Sequence, residues 1–86
     1  MTRLRVLSRQ WCHLCDDLLD ALTPIARQYD AAIEVIDVDA DPTLEAPWGE
    51  LVPVVLGEND EALCHYHLDA AAVHAYLGQF PLKSAD

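Results

Sequence analysis

The segment LRVLSRQWCHLCDDLL, residues 4–19, changes its pattern halfway and decides the fold. Its first part, residues 4–7, is a short β-prone run that predicts a strand ending at Ser8. A Cys-x-x-Cys motif follows at Cys12 and Cys15, and apolar residues then recur at helical spacing. The two cysteines are therefore predicted to lie where a strand passes into a helix.

The predicted helix has one apolar face. Its positions recur every three or four residues and are Leu14, Leu18, Leu22, Ile25 and Tyr29. Asp16 and Asp17 fall in the first turn, where carboxylates suit the positive end of the helix dipole. Pro24 lies inside the pattern, so we expect it to kink or divide the helix.

The rest of the chain predicts three more strands. They cover residues 33–38, 52–56 and 62–66, and residues 39–49 form a turn with a short helix that Asp41 can cap. Asp69 can cap a final helix, whose apolar face consists of Val73, Tyr76, Leu77 and Phe80. The order is β-α-β-(α)-β-β-α, an α/β arrangement. A helix between the first two strands implies that they are parallel, and the close last two strands imply a hairpin. The sheet is therefore four-stranded and mixed, with helices packed on it.

Composition limits the kind of protein. Residues 1–86 are short enough to make one domain. Fifteen Asp+Glu against five Lys+Arg give a formal charge of -10, which disfavours nucleic acids and anionic membranes. Three cysteines do not make a secreted disulfide scaffold, and the sequence has neither a signal-peptide pattern nor an apolar run of about 18 residues. We expect a cytoplasmic monomer without nucleic-acid or membrane partners.

The Cys-x-x-Cys spacing lets two sulfurs meet across one helical turn, within disulfide reach. Free backbone N–H groups and the helix dipole stabilise a thiolate at a helix start. Cys12 is the predicted exposed nucleophile and Cys15 the resolving thiol, and together they would form a redox-active disulfide. Arg9 and His13 are candidates for positive charge beside Cys12. Trp11 is expected to lie in the core or to line a substrate groove, and Trp48 likewise.

A metal site is the competing interpretation. Zinc, or an iron–sulfur cluster bridging two chains, could use the motif together with Cys64, His65 and His67. The second half is Cys-His-x-His, however, and not another Cys-x-x-Cys, so we assign no metal ligands. A metal-binding or redox-sensing protein on the same fold remains the alternative. Without a metal, we expect Cys64 to occupy a buried strand position and His65, His67 and His74 to lie on the surface.

Three pieces of the chain resemble the glutaredoxin branch of the thioredoxin superfamily, particularly its short bacterial members. They are Ser8-Arg9-x-x-Cys12-x-x-Cys15, Asp37-Val38-Asp39-x-Asp41-Pro42 and Val52-Pro53, in a matching element order over residues 4–80. The resemblance implies a thioredoxin-like fold of glutaredoxin type and thiol–disulfide oxidoreductase activity without a bound cofactor. It also implies a cis peptide between Val52 and Pro53 beside Cys12, which would present the Val52 backbone to an extended thiol substrate.

The substrate is less clearly indicated. Glutathione-binding glutaredoxins resemble one another in a Gly-Gly pair after the fourth strand, followed by an Asp. Residues 64–69, CHYHLD, contain no glycine, and Asp69 alone suits that pattern. The bulky segment should narrow the groove, and the acidic surface disfavours an anionic tripeptide. Protein disulfides and glutathione mixed disulfides therefore both remain as substrates, with glutathione as a possible co-substrate.

Overall fold

The fold was obtained as a computed structural model, which describes residues 2–80. The strands are β1 (Arg3–Ser8), β2 (Ala32–Asp37), β3 (Val54–Leu56) and β4 (Ala62–His65). The α-helices are α1 (His13–Gln28), α2 (Pro42–Trp48) and α3 (Ala70–Leu77), and a 3-10 turn covers Val38–Ala40. This order confirms the predicted α/β fold with its four-stranded mixed sheet.

The sheet brings four chain segments to one edge. Its strand order is β2-β1-β3-β4, with β1 and β2 parallel and the other neighbours antiparallel. Ser8 pairs with Asp37, Leu7 with Val54, and Val54 with His65. The ends of β1, β2 and β4 therefore meet the start of β3 at the same edge, which is where the Cys-x-x-Cys segment leaves β1.

Alternate residues of the strands point to opposite faces and build two cores. On one face α1 and α3 cover a cluster made of Leu4, Val6, Leu18, Leu22, Val55, Val73, Tyr76 and Leu77. The second cluster consists of Leu7, Val38, Val54 and Leu56, against which Leu44 and Trp48 of α2 pack. Burying each such side chain contributes about 1.5–3 kcal/mol, so the helices are held mainly by these contacts.

The apolar face of α1 is rotated from the predicted one. The residues that it buries are Cys15, Leu18, Leu22 and Ala26. Leu14, expected to begin the buried face, is 41% exposed. The sheet covers the face that carries Cys15, because α1 starts directly after β1 and the first turn must pack at the sheet edge.

Pro24 does not divide α1, which runs without interruption from His13 to Gln28. Pro24 is exposed, so the backbone carbonyl that loses its N–H partner lies on the side that water can reach. The neighbouring Thr23 donates its hydroxyl to the Leu19 carbonyl at 2.8 Å. The alternative that Pro24 divides the helix was therefore wrong.

Strand limits differ from the predicted ones where a local group interrupts pairing. β3 begins at Val54 and not at Val52, because Pro53 has no N–H to donate to the ladder. β2 stops at Asp37, whose carboxylate accepts the N–H of Asp39 at 2.9 Å and starts the 3-10 turn. β4 stops at His65, so His67 lies beyond the strand.

The two predicted aspartate caps are present. Asp41 accepts the Thr43 N–H at the start of α2, and Asp69 accepts the Ala72 N–H at the start of α3, each at 3.0 Å. A cap of this kind satisfies one orphan backbone donor and contributes about 1 kcal/mol.

His74 was expected on the surface, and this was wrong. It is half-buried on α3, and its Nδ1 lies 2.8 Å from the hydroxyl of Tyr29 at the end of α1. The contact joins the two helices that cover the first core. Among residues 2–80, none of the helices has the length and apolar character needed to cross a membrane.

Candidate functional site

Cys12 and Cys15 form a disulfide at the start of α1. Cys12 is the N-cap residue, and its Sγ accepts the backbone N–H of Cys15 at 3.2 Å. Their Cα atoms are 5.2 Å apart, within the usual range for a disulfide. Cys15 is only 2% exposed, whereas Cys12 is partly exposed. An incoming thiol therefore reaches the Cys12 sulfur before it can reach Cys15.

Trp11 lies beside the disulfide and is exposed. It has a left-handed backbone conformation, with φ of 63°, and 94% of its surface is open to solvent. The expected core position is therefore wrong for Trp11. It holds for Trp48, which packs partly buried against the second core. His13, the first residue of α1, is also exposed.

The guanidinium of Arg9 is already paired. Its Nε lies 3.1 Å from both carboxylate oxygens of Asp39, and one terminal nitrogen lies 3.5 Å from a Glu45 oxygen. The parallel pairing of β1 and β2 brings Asp39 to this position. Arg9 therefore ties β1 to the segment after β2, and its predicted positive influence on Cys12 is opposed by two carboxylates.

The Val52–Pro53 peptide bond is cis. Pro53 is buried, and Val52 is partly exposed. Leu51 donates its N–H to the Trp48 carbonyl at 2.8 Å. The N–H and C=O of Val52, by contrast, make no hydrogen bond with any other part of residues 2–80. The Val52 backbone is therefore unpaired, and it lies at the end of the sheet where the segment with Cys12 leaves β1.

Tyr66 was not among the predicted site residues, yet it holds the segment around Val52. Its backbone N–H donates to the Pro53 carbonyl at 2.9 Å, and its hydroxyl donates to the Glu50 carbonyl at 3.0 Å. Its φ is 64°, a region that tyrosine seldom adopts. The sequence signal was available, since Tyr66 stands in the segment where the resembling proteins have glycine.

A groove of about 240 Å³ borders the motif between α1 and residues 66–68. Its lining residues are Leu14, Asp17, Leu18, Ala21, Tyr66, His67 and Leu68. The rotation of α1 that exposes Leu14 is what makes Leu14 a wall of this groove. A larger polar depression of about 400 Å³ lies at the opposite end of β1, away from the cysteines.

Cys64 lies on β4 opposite Val55 and packs against the first core, half-buried. Burial raises the pKa of its thiol; the Asp69 backbone N–H opposes this rise, and the Asp69 carboxylate adds to it.

His65 and His67 are exposed, as expected. Within the part of the chain that the structure describes, no three His, Cys, Asp or Glu side chains gather into a metal-binding group.

Comparison with known proteins agrees with this geometry. A model of the glutaredoxin-like domain (DUF836) matches residues 3–78. Comparison with curated proteins gave no match.

Solved structures with a similar fold include two bacterial proteins of about one third sequence identity. Protein Ne2328 from Nitrosomonas europaea is 33% identical, with 87% of this chain and 89% of that chain covered and a TM-score of 0.80. The crystal structure of XcR50 from X. campestris is 32% identical, with 91% and 99% covered and a TM-score of 0.69. Thioredoxin 1 from Thermosipho africanus, at 22% identity, with 90% and 96% covered and a TM-score of 0.62, shares the fold. Because the family model spans nearly all of the described residues, the chain belongs to the glutaredoxin-like domain family, on the thioredoxin fold.

Proposed function

We propose that the protein is a thiol–disulfide oxidoreductase that uses Cys12 as nucleophile and Cys15 as resolving thiol. The observation that carries the proposal is the disulfide itself, which joins a partly exposed Cys12 at the N-cap of α1 to a buried Cys15 one turn further on. The N-cap position supports a reactive Cys12, because backbone N–H groups and the positive helix end stabilise a thiolate.

The reaction balances as two thiol–disulfide exchanges. The Cys12 thiolate attacks one sulfur of the substrate disulfide, forms a mixed disulfide and releases the other sulfur as a thiol. The Cys15 thiolate then attacks the Cys12 sulfur, which closes the Cys12–Cys15 disulfide and releases the second substrate thiol. Two electrons and two protons pass from the dithiol to the substrate, and an external thiol reductant restores the dithiol.

A polypeptide disulfide fits the surroundings of Cys12 better than glutathione does. The unpaired N–H and C=O of Val52 can bond an extended chain, as in strand addition. Trp11, the residue before Cys12 in the chain, offers a large exposed apolar surface. Two features of the groove disfavour glutathione. Its volume of about 240 Å³ is smaller than the roughly 300–1,000 Å³ of most small-molecule sites, and Asp17 in its wall adds a negative charge.

The three cysteines provide a matched experiment. We expect Cys12→Ser to lose activity toward both insulin and a glutathione mixed disulfide, because the nucleophile is gone. Cys15→Ser should accumulate a covalent adduct on Cys12, visible by intact-mass spectrometry and removed by dithiothreitol, because attack survives while resolution fails. Cys64→Ser, the control, should keep the activity of the wild type. Undiminished activity of Cys12→Ser, or no adduct on Cys15→Ser, would refute the assigned roles.

The same assays compare the substrate classes. The proposal expects insulin to be reduced with the larger kcat/KM, whereas faster reduction of the glutathione mixed disulfide would assign the site to glutathione.

A further inference from the structure

The contacts of Tyr66 point to a positioning residue. We propose that Tyr66 fixes the position of the Val52 backbone so that it can pair with a polypeptide substrate, and thereby favours polypeptide disulfides over small ones. The inference rests on the proposed oxidoreductase function and adds to it the residue that sets this preference.

Two hydrogen bonds from Tyr66 reach the chain on either side of the unpaired Val52 backbone. The hydroxyl bonds the carbonyl of Glu50, two residues before Val52, and the backbone N–H bonds the carbonyl of Pro53, the residue after it. The segment between the two carbonyls is thus connected to the end of β4 on both sides of Val52. β3 begins only at Val54, so the sheet ladder itself does not hold this unit.

The backbone of Tyr66 supports the same interpretation. A φ of 64° costs a residue with a Cβ about 1–2 kcal/mol, and glycine would adopt it freely. The tyrosine side chain offsets part of this cost with its bond to Glu50 and its contacts in the groove wall. It remains 41% exposed, so its hydroxyl bond competes with water and has the modest strength of a typical hydrogen bond.

Tyr66→Phe tests the inference, because it removes the hydroxyl and keeps the ring. The measured quantity is the kcat/KM for insulin divided by the kcat/KM for hydroxyethyl disulfide, a small substrate that has no backbone to pair. We expect this ratio to fall about two- to tenfold, the effect of one hydrogen bond of ordinary strength. The Leu51 amide, next to the released segment, should exchange its hydrogen faster by a similar factor.

Two glycine variants separate positioning from relief of backbone strain. Tyr66→Gly should lower the ratio at least as much as Tyr66→Phe, although glycine relieves the unfavourable φ. Asp30→Gly is the control, because Asp30 also has a positive φ, 55°, but follows the end of α1. It should leave the ratio unchanged.

The outcomes of these assays distinguish the positioning role of Tyr66 from the proposed oxidoreductase function. An unchanged ratio in Tyr66→Phe or in Tyr66→Gly, including the case in which both substrates lose activity equally, overturns the positioning role while the oxidoreductase function stands. A wild-type protein that reduces neither disulfide refutes the proposed function itself.

Discussion

Replacing Trp11 with alanine should weaken the reaction with polypeptide disulfides and leave the fold intact. A tryptophan contact buries about 150–250 Å², and 94% of Trp11 is exposed before any substrate arrives. If a substrate covers half of a surface of about 200 Å², then about 100 Å² at about 25 cal/mol per Å² contributes about 2.5 kcal/mol. That is roughly 70-fold in kcat/KM, an upper value because ordering of the contact opposes it.

The assay is the steady-state reduction of insulin, followed beside urea denaturation of the same variants. We expect Trp11→Ala to lower kcat/KM by about 10- to 70-fold and to change the unfolding free energy by about 0.5 kcal/mol at most. Trp48→Ala provides the opposite case for stability, because Trp48 packs against the second core and its loss should cost about 3–5 kcal/mol. Unchanged kcat/KM for Trp11→Ala, or a stability loss as large as that of Trp48→Ala, would refute the reasoning.

Three further predictions concern stability. Gly57→Ala should lower the unfolding free energy by about 1–3 kcal/mol in urea denaturation, because the added Cβ would lie 2.6 Å from the ring and hydroxyl of Tyr76. Tyr29→Phe should cost about 1 kcal/mol, seen as a fall of about 4–8 °C in Tm, because it removes the hydrogen bond to His74. Above pH 9 the oxidised wild type should lose stability relative to Cys64→Ala. The unfolded thiol ionises near its ordinary pKa of 9.0, while burial raises the pKa of the folded thiol and keeps it protonated.

Each of these has a control. In a Tyr76→Leu background the Tyr76 atoms are absent, and of the three nearest atoms only the flexible Glu61 carboxylate oxygen at 2.6 Å remains, so an equally large loss there contradicts a clash with Tyr76. Phenylalanine keeps the ring of Tyr29 against the first core, so an unchanged Tm means that the bond to His74 contributes nothing. For Cys64, parallel pH profiles of wild type and variant between pH 8 and about 10 would contradict the raised pKa of the folded thiol.

Local patterns in the sequence were sufficient to predict the fold and the centre of the candidate site. A β-prone run, a Cys-x-x-Cys motif and a helical repeat are all contained in residues 4–29, so neighbouring residues alone indicated the strand-to-helix junction. The caps at Asp41 and Asp69 were also predicted, because each bonds an N–H two or three residues away. Such signals depend on short-range geometry, which one sequence contains in full.

The surroundings of the motif depended on contacts between distant parts of the chain. Arg9 meets Asp39 only because β1 and β2 are parallel neighbours, and His74 meets Tyr29 only because α1 and α3 share a face of the sheet. Leu14 was predicted to be buried, but the sheet covers the adjacent face of α1, and periodicity does not say which edge of an apolar face is covered.

The sequence by itself therefore determined where the two cysteines lie, and it favoured thiol–disulfide chemistry over a metal site. The tertiary structure decided what stands around them: an exposed Trp11, an Arg9 already paired, and an unpaired Val52 backbone. Tyr66 reaches that segment from the end of β4, through a hydroxyl bond to a carbonyl 16 residues earlier in the chain. A single sequence encodes local periodicity directly, whereas such pairings follow from strand order and packing, which appear only when the whole chain has folded.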